Sequence, residues 1–194
     1  MNLSNEWYYF TEAIDKKTCN KIIELGKEKF EKATIQEEIK NKKIRVNDIS
    51  WSNDQWLYDL IWPYMEEANE QAGWKYDIKA AESIQITRYK KNNFYEFHKD
   101  GGSDNLSVYN EPENKFKHGN VRKLSMSIIL NDNYEGGDFQ FAVLEKEKGI
   151  TLTPDFNKLG SIIVFPSFVS HRVRPIIKGI RYSLVSWLIG PPFK

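Results

Sequence analysis

The run Arg88-Tyr-Lys-Lys-Asn-Asn-Phe-Tyr-Glu-Phe-His-Lys-Asp-Gly101 decides how the chain is read. His98 and Asp100 lie two residues apart near the end of a strand-like segment, and residues at i and i+2 of a strand project from the same face. An imidazole nitrogen and a carboxylate oxygen presented from one side can ligate one metal ion. A second histidine from elsewhere completes a 2-His-1-carboxylate facial set, which leaves three positions open on Fe(II). His171 is the candidate. Alone the triplet carries little weight, because a His-x-Asp sequence is equally at home in a surface turn.

Outward from this run, the apolar pattern changes character at Tyr76. After it, Ile78, Ala80 and Ser83 to Tyr89 alternate as strands do. Leu124 to Leu130 reads as a buried strand, Glu135 to Asp138 as a turn and Phe139 to Val143 as another strand. Ser161 to Phe165 leads through Pro166 and a loop to His171; a strand is expected around Pro175, and Arg181 to Leu188 closes the set. Residues 101–120 are a long polar insertion of the kind that forms lids and binding loops. His118 lies in it with no carboxylate two residues on and reads as loop surface.

Before Tyr76 the pattern is mainly helical. Residues 7–10 form a short aromatic strand, after which Thr11 or Asp15 offers an N-cap and Cys19, Ile22, Ile23, Leu25 and Phe30 recur at helical spacing. Ile44 to Ile49 reads as a strand or extended loop. A second helix begins after Ser52 or Asn53 and runs from Trp56 to Ala68, with a kink or break expected at Pro63. Helices first and short strands afterwards predict an α+β chain whose β part is a sandwich or barrel.

The bulk numbers bound the function. A chain of 194 residues with 40% hydrophobic, 28% charged and 14% aromatic residues predicts one soluble domain over 1–194, with 1–75 mainly helical support and 76–194 the β core. A net charge of +1 gives no global pull toward nucleic acid or an anionic membrane. The single cysteine, Cys19, excludes an internal disulfide and fits a reducing compartment. No stretch approaches the roughly 20 apolar residues of a membrane span, so the expected location is cytoplasmic. Frequent lysine and asparagine fit an AT-rich genome such as a phage's.

Arg181 follows His171 by ten positions. On paired antiparallel strands that separation can return a guanidinium to the metal's vicinity, where its planar fork fits a carboxylate. A salt bridge to one of the protein's own acids is the structural alternative.

With these pieces in order the chain resembles the 2-oxoglutarate- and Fe(II)-dependent dioxygenases, and among them the prolyl 4-hydroxylase-like branch. Tyr89 and Tyr95 precede His98 as in that branch's Tyr…Tyr-x-x-His-x-Asp run. Leu124 to Asn131 with Glu135-Gly-Gly137 is similar to its central strand and turn, and His171 to Pro175 with Arg181-Tyr-Ser183 to its distal histidine and co-substrate segment. The likeness extends to the leading helix around Cys19. Two departures are visible: many prolyl 4-hydroxylases carry lysine at the place of Arg181, and oxygen-sensing relatives carry tyrosine near Ile129.

The resemblance implies a double-stranded β-helix (jelly roll) with N-terminal helices packed on one sheet. It implies an oxidoreductase in which His98, Asp100 and His171 hold Fe(II), and 2-oxoglutarate chelates the metal while Arg181 takes its distal carboxylate. Molecular oxygen then drives decarboxylation to succinate and CO2 with hydroxylation of a substrate, and ascorbate serves as reductant. Ser183 or Ser127 would assist Arg181, and Tyr89 would bond the co-substrate carboxylate or else simply pack the core. Trp187 lines the cavity or is core. Asp100 favours hydroxylation over halogenation, since related halogenases lack the carboxylate.

Three substrate classes follow. The first is a prolyl residue in a protein or peptide, with the 101–120 loop folded over it and Trp51, Trp56 and Tyr109 at the entrance. The second is a free amino acid, another small molecule or a nucleobase, and the third a jelly-roll binding module without turnover. The filled ligand positions favour turnover.

Overall fold

Two periodicities partition the chain, one of 3.6 residues in two helices and one of two residues in the strands. The computed structural model describes residues 6–33, 44–101, 108–145 and 148–193. In chain order the elements are β1 (Tyr8–Phe10), α1 (Lys16–Lys27), β2 (Glu31–Lys32), β3 (Arg45–Val46), β4 (Asp48–Ser52), α2 (Gln55–Gln71), β5 (Ala80–Ala81) and β6 (Ile84–Tyr89). There follow β7 (Phe94–His98), β8 (Val121–Ile129), β9 (Tyr134–Gly136), β10 (Phe139–Glu145), β11 (Lys148–Leu152), β12 (Ile162–Pro166), β13 (Ser170–Val173), β14 (Ile176–Gly179) and β15 (Arg181–Gly190).

The strands form a major sheet in the order β1-β12-β8-β15-β6-β4-β2, with β5 joined to β15, and a minor sheet in the order β11-β10-β13-β7-β3. β9 and β14 make a separate ribbon. This is the expected jelly roll, with both helices on the outer face of the major sheet. That sheet is buried on both sides, and its strands divide their residues accordingly. Ile84, Ile86, Leu124, Ile128, Leu184 and Leu188 join Cys19 and Ile22 of α1 and Leu57 and Ile61 of α2 in one core. Each is worth about 1.5–3 kcal/mol over exposure. The alternate positions, Gln85, Thr87, Ser127 and Ser183, turn polar groups toward the minor sheet, and all four are buried.

α1 starts at Asp15, whose Oδ1 accepts the Thr18 N–H at 3.0 Å, and it buries Cys19, Ile22, Ile23 and Gly26 on one stripe. Gly26 permits close approach to β6, since a Cβ there would lie 3.0 Å from Ile86 Cγ2. α2 buries Leu57, Ile61, Met65 and Ala68 and runs unbroken through Pro63, so of the kink or break expected there the break does not occur. Pro63 and Asp59 are both exposed, so water can satisfy the carbonyl that the missing N–H leaves free.

Two local expectations change. Ile44 to Ile49 is not one strand: β3 pairs with β7 in the minor sheet, while β4 pairs with β6 in the major one. The segment around Pro175 is likewise two strands, β13 and β14, because proline cannot donate to a ladder. The first 75 residues supply β1 to β4 in addition to the helices.

Gly160 joins the layers. Its N–H donates to the Ile129 carbonyl at 2.8 Å, and its own carbonyl accepts from the Ile14 N–H at 3.0 Å. Its φ is +77°, and a Cβ would fall 1.9 Å from the Ile14 oxygen. Gly160→Ala is expected to cost at least about 2 kcal/mol, read as a lower urea midpoint at unchanged slope.

Candidate metal centre

β7 and β13 run antiparallel with His98 directly opposite His171, so strand pairing makes the two imidazoles neighbours. Further along, Tyr95 pairs with Val173, which gives β7 one residue more than β13 over the same interval. That bulge puts Tyr95 and His98 on the same side although they are three apart, where a regular strand would send them to opposite faces. The two rings stack with centroids 3.4 Å apart. Phe139 and Phe165 pack on His171 with centroids at 5.4 and 4.7 Å.

Backbone carbonyls orient both histidines. His98 Nδ1 lies 2.8 Å from the Glu96 oxygen and His171 Nδ1 3.0 Å from the Val169 oxygen, so each Nδ1 carries the proton and each Nε2 presents its lone pair. Asp100 is held by its N–H to the Ser167 carbonyl at 2.9 Å, and its Oδ2 accepts the Ser125 hydroxyl at 2.6 Å. Its oxygens lie 3.8 Å from His98 Nε2 and 3.6 Å from His171 Nε2. One ligand atom from each of the three residues falls within 4.8 Å of the others.

Burial would raise the Asp100 carboxyl, but the imidazoles of His171 and His98, then Arg122 and the Ser125 hydroxyl, outweigh it and hold it at about 2. Burial lowers His98 to about 3, and His171 adds to the effect. At neutral pH Asp100 is thus a carboxylate and His98 a neutral imidazole, the forms that bind a metal. Ser125→Ala would free the carboxylate to rotate, and a 10–100-fold loss of Fe(II) or Mn(II) affinity is expected in a binding titration.

Arg181 sits on β15 opposite Tyr89 of β6. It is 1% exposed, yet only Nη1 has a partner, the Ser183 hydroxyl at 2.9 Å. Nε and Nη2 are buried without any. Ser183 Oγ also lies 2.6 Å from Thr87 Oγ1, and the Tyr89 ring is 5.7 Å from the guanidinium. Among the described residues no acid pairs with Arg181. A buried cation with orphaned donors is costly unless an anion arrives, so the donor set fits a carboxylate, as the three ligand atoms fit a cation.

A cavity of about 560 Å³ joins the two features. It is lined by His98, Asp100, His171, Arg181, Tyr89, Ser183, Ser127 and Trp187, and Trp51 and Tyr109 stand among its walls. Ser127 lines it without bonding Arg181. Trp56 is elsewhere: it packs against the helix core under Lys21 and takes no part in the entrance. His118 is exposed, and residues 102–107 of the long insertion lie outside the described residues. Sequence reasoning missed Arg45, Gln85, Thr87, Ser125 and Arg122. The alternation of Gln85 and Thr87 with Ile84 and Ile86, and of Ser125 and Ser127 with Leu124 and Ile128, is a signal for a strand that lines a wet cavity on one face. Arg45 carries no local signal.

A jelly roll with two histidines and a carboxylate on its minor sheet and an orphaned arginine on its major sheet has the pattern of the mononuclear non-haem iron centres. The profile of the 2OG-Fe(II) oxygenase superfamily matches residues 84–189, and the chain belongs to that superfamily. A PKHD-type hydroxylase of Synechococcus sp. (strain CC9902) is 35% identical over 114 residues, 57% of this chain and 43% of the relative. The chain thus aligns with less than half the length of that curated relative. Among solved structures, a viral collagen prolyl hydroxylase of Paramecium Bursaria Chlorella virus-1, in a 2OG complex, superposes with TM-score 0.65 at 17% identity, covering 96% of this chain and 97% of that one. A Trichoplax adhaerens prolyl hydroxylase, in complex with a hypoxia inducible factor peptide fragment, superposes with TM-score 0.68 at 16% identity, over 95% and 83%.

Proposed function

We propose that this protein is an Fe(II)- and 2-oxoglutarate-dependent dioxygenase that hydroxylates a prolyl residue in a protein or peptide. The observation that carries the reading is Arg181, a buried guanidinium with two unpartnered nitrogens in the same cavity as the three ligand atoms. One cavity thus asks for a divalent cation and a carboxylate. The PKHD-type relative supports hydroxylation, the prolyl hydroxylase neighbours support the prolyl assignment, and the peptide complex among them supports a peptide substrate.

His98, Asp100 and His171 hold the metal, and Arg181 binds the distal carboxylate of 2-oxoglutarate with Ser183 and Tyr89 beside it. Fe(II) bound there would, together with 2-oxoglutarate, supply the oxygen activation that gives succinate, CO2 and a hydroxylated substrate. The chain does the rest. Carbonyls of Glu96 and Val169 fix the histidine tautomers, Ser125 fixes the carboxylate, and Phe139 and Phe165 exclude water around His171. Ascorbate is the expected reductant, and the expected location is the cytoplasm. No helix among the described residues is long and apolar enough to cross a membrane.

Purified protein with Fe(II), ascorbate and 2-oxoglutarate should form succinate, and mass spectrometry of incubated peptides should find one added oxygen on proline. Oxidation of a free amino acid, other metabolite or nucleobase with no prolyl product would replace the substrate assignment and keep the iron chemistry. No succinate under any condition would leave a binding module.

A further inference from the structure

One buried carboxylate beside the cavity, bonded to residues that line it, serves neither the metal nor the co-substrate. Glu82, between β5 and β6, is 7% exposed and gathers four contacts from three residues. Its Oε1 accepts from Tyr109 Oη at 2.8 Å and from Arg122 Nε at 2.6 Å. Its Oε2 accepts from Arg122 Nη2 at 2.9 Å and faces Lys117 Nζ at 3.4 Å. Its backbone N–H donates to the Trp187 carbonyl at 2.8 Å.

Two of these partners belong to the long insertion. Residues 108–120 are internally braced, with the Tyr109 N–H donating to the Asn120 carbonyl at 2.9 Å and the Gly119 N–H to the Tyr109 carbonyl at 3.0 Å. The segment reaches the body of the protein through Tyr109 and Lys117 on Glu82. The third partner, Arg122, lies across the Trp187 ring at 4.2 Å, and Trp187 lies 6.1 Å from Trp51. Tyr109, Lys117, Arg122 and Trp187 all line the cavity. Burial would raise the Glu82 carboxyl, but Arg122, then Lys117 and Tyr109, outweigh it and hold it below the usual carboxylate range.

We propose that Glu82 is a positioning residue for the substrate that is oxidised: its carboxylate docks the 108–120 segment and holds Arg122 across Trp187, so the mouth is shaped before that substrate arrives. The described part of the insertion is a fixed rim and not a closing lid. Tyr109 and Lys117 are the rim's own anchors, and through them the insertion restricts what reaches the metal centre. The substrate role rests on the oxygenase reading above; the docking does not.

The test has two arms. Hydrogen exchange on the unloaded protein needs no turnover. Glu82→Gln keeps the shape but turns a donor toward Arg122 and Lys117, and amide exchange at Tyr109 and Gly119 should quicken about tenfold or more. Glu82→Asp should fall between the two. Exchange in Glu82→Gln as slow as in the unsubstituted protein overturns the docking. Should Glu82→Gln fail to fold, Tyr109→Phe and Lys117→Met leave the Glu82–Arg122 pair intact and should quicken exchange in the same residues; no change there overturns it equally. The second arm follows succinate formation with a poly(L-proline) peptide. Glu82→Gln should raise the KM for peptide about tenfold, with the KM for 2-oxoglutarate within about twofold. A parallel rise in both overturns the positioning role. If the unsubstituted protein does not oxidise the peptide, the prolyl reading fails, and the exchange arm still decides whether Glu82 docks the rim.

Discussion

In His98→Ala and Asp100→Ala, succinate formation from 2-oxoglutarate is expected to fall by about a thousandfold or more, because the metal contributes several kcal/mol that no side chain replaces. The geometry makes the loss specific. Asp100 faces both imidazoles at 3.6 and 3.8 Å and is anchored by Ser125, so removing it leaves the two imidazoles with no carboxylate beside them. Removing His98 takes away the ring that strand pairing sets against His171. Metal affinity, measured by titration of the apoprotein, should fall together with turnover, while the far-ultraviolet circular dichroism stays that of the β-rich fold. Turnover in either variant equal to the unsubstituted protein would remove these residues from the ligand set.

Arg181→Ala should raise the 2-oxoglutarate requirement by on the order of a hundredfold or more, the range for truncating one partner of a buried charge pair. The sign of the stability effect separates this role from a structural one. A guanidinium that only packs the barrel would cost stability when removed. One held with two unpartnered nitrogens already carries a desolvation cost. The unloaded Arg181→Ala protein should therefore melt no lower than the unsubstituted one, and 2-oxoglutarate should lose its ability to raise the melting temperature. Arg181→Lys should keep part of the affinity, since a point charge attracts the carboxylate without the two-pronged geometry. An unchanged 2-oxoglutarate requirement in Arg181→Ala would dismiss the proposed role.

Much of the fold was legible because both helices are amphipathic and the strands alternate. Asp15 is the cap of α1, and the stripe from Leu57 to Ala68 is the buried face of α2. What misled was local chemistry that tertiary surroundings override. Pro63 does not break α2, because its free carbonyl partner faces solvent. Ile44 to Ile49 splits between two sheets, which no alternation pattern can announce. Trp56 looked like an entrance residue on composition and is a helix-face residue by geometry.

By itself the sequence determined the residue types and their order. The His-x-Asp pair at the end of a strand, the later histidine and the arginine ten residues on were visible because ligand chemistry restricts residue choice and strand spacing is regular. Only the tertiary structure decided which side chains meet. The extra residue in β7 turns Tyr95 and His98 to one side, and antiparallel pairing sets His98 against His171. The pairing of β15 with β6 leaves Arg181 beside Ser183 and Tyr89, with no acid among the described residues to neutralise it. The cause is physical: register and bulges set side-chain direction over long sequence separations, and burial alone makes an unpaired guanidinium costly enough to point to a ligand.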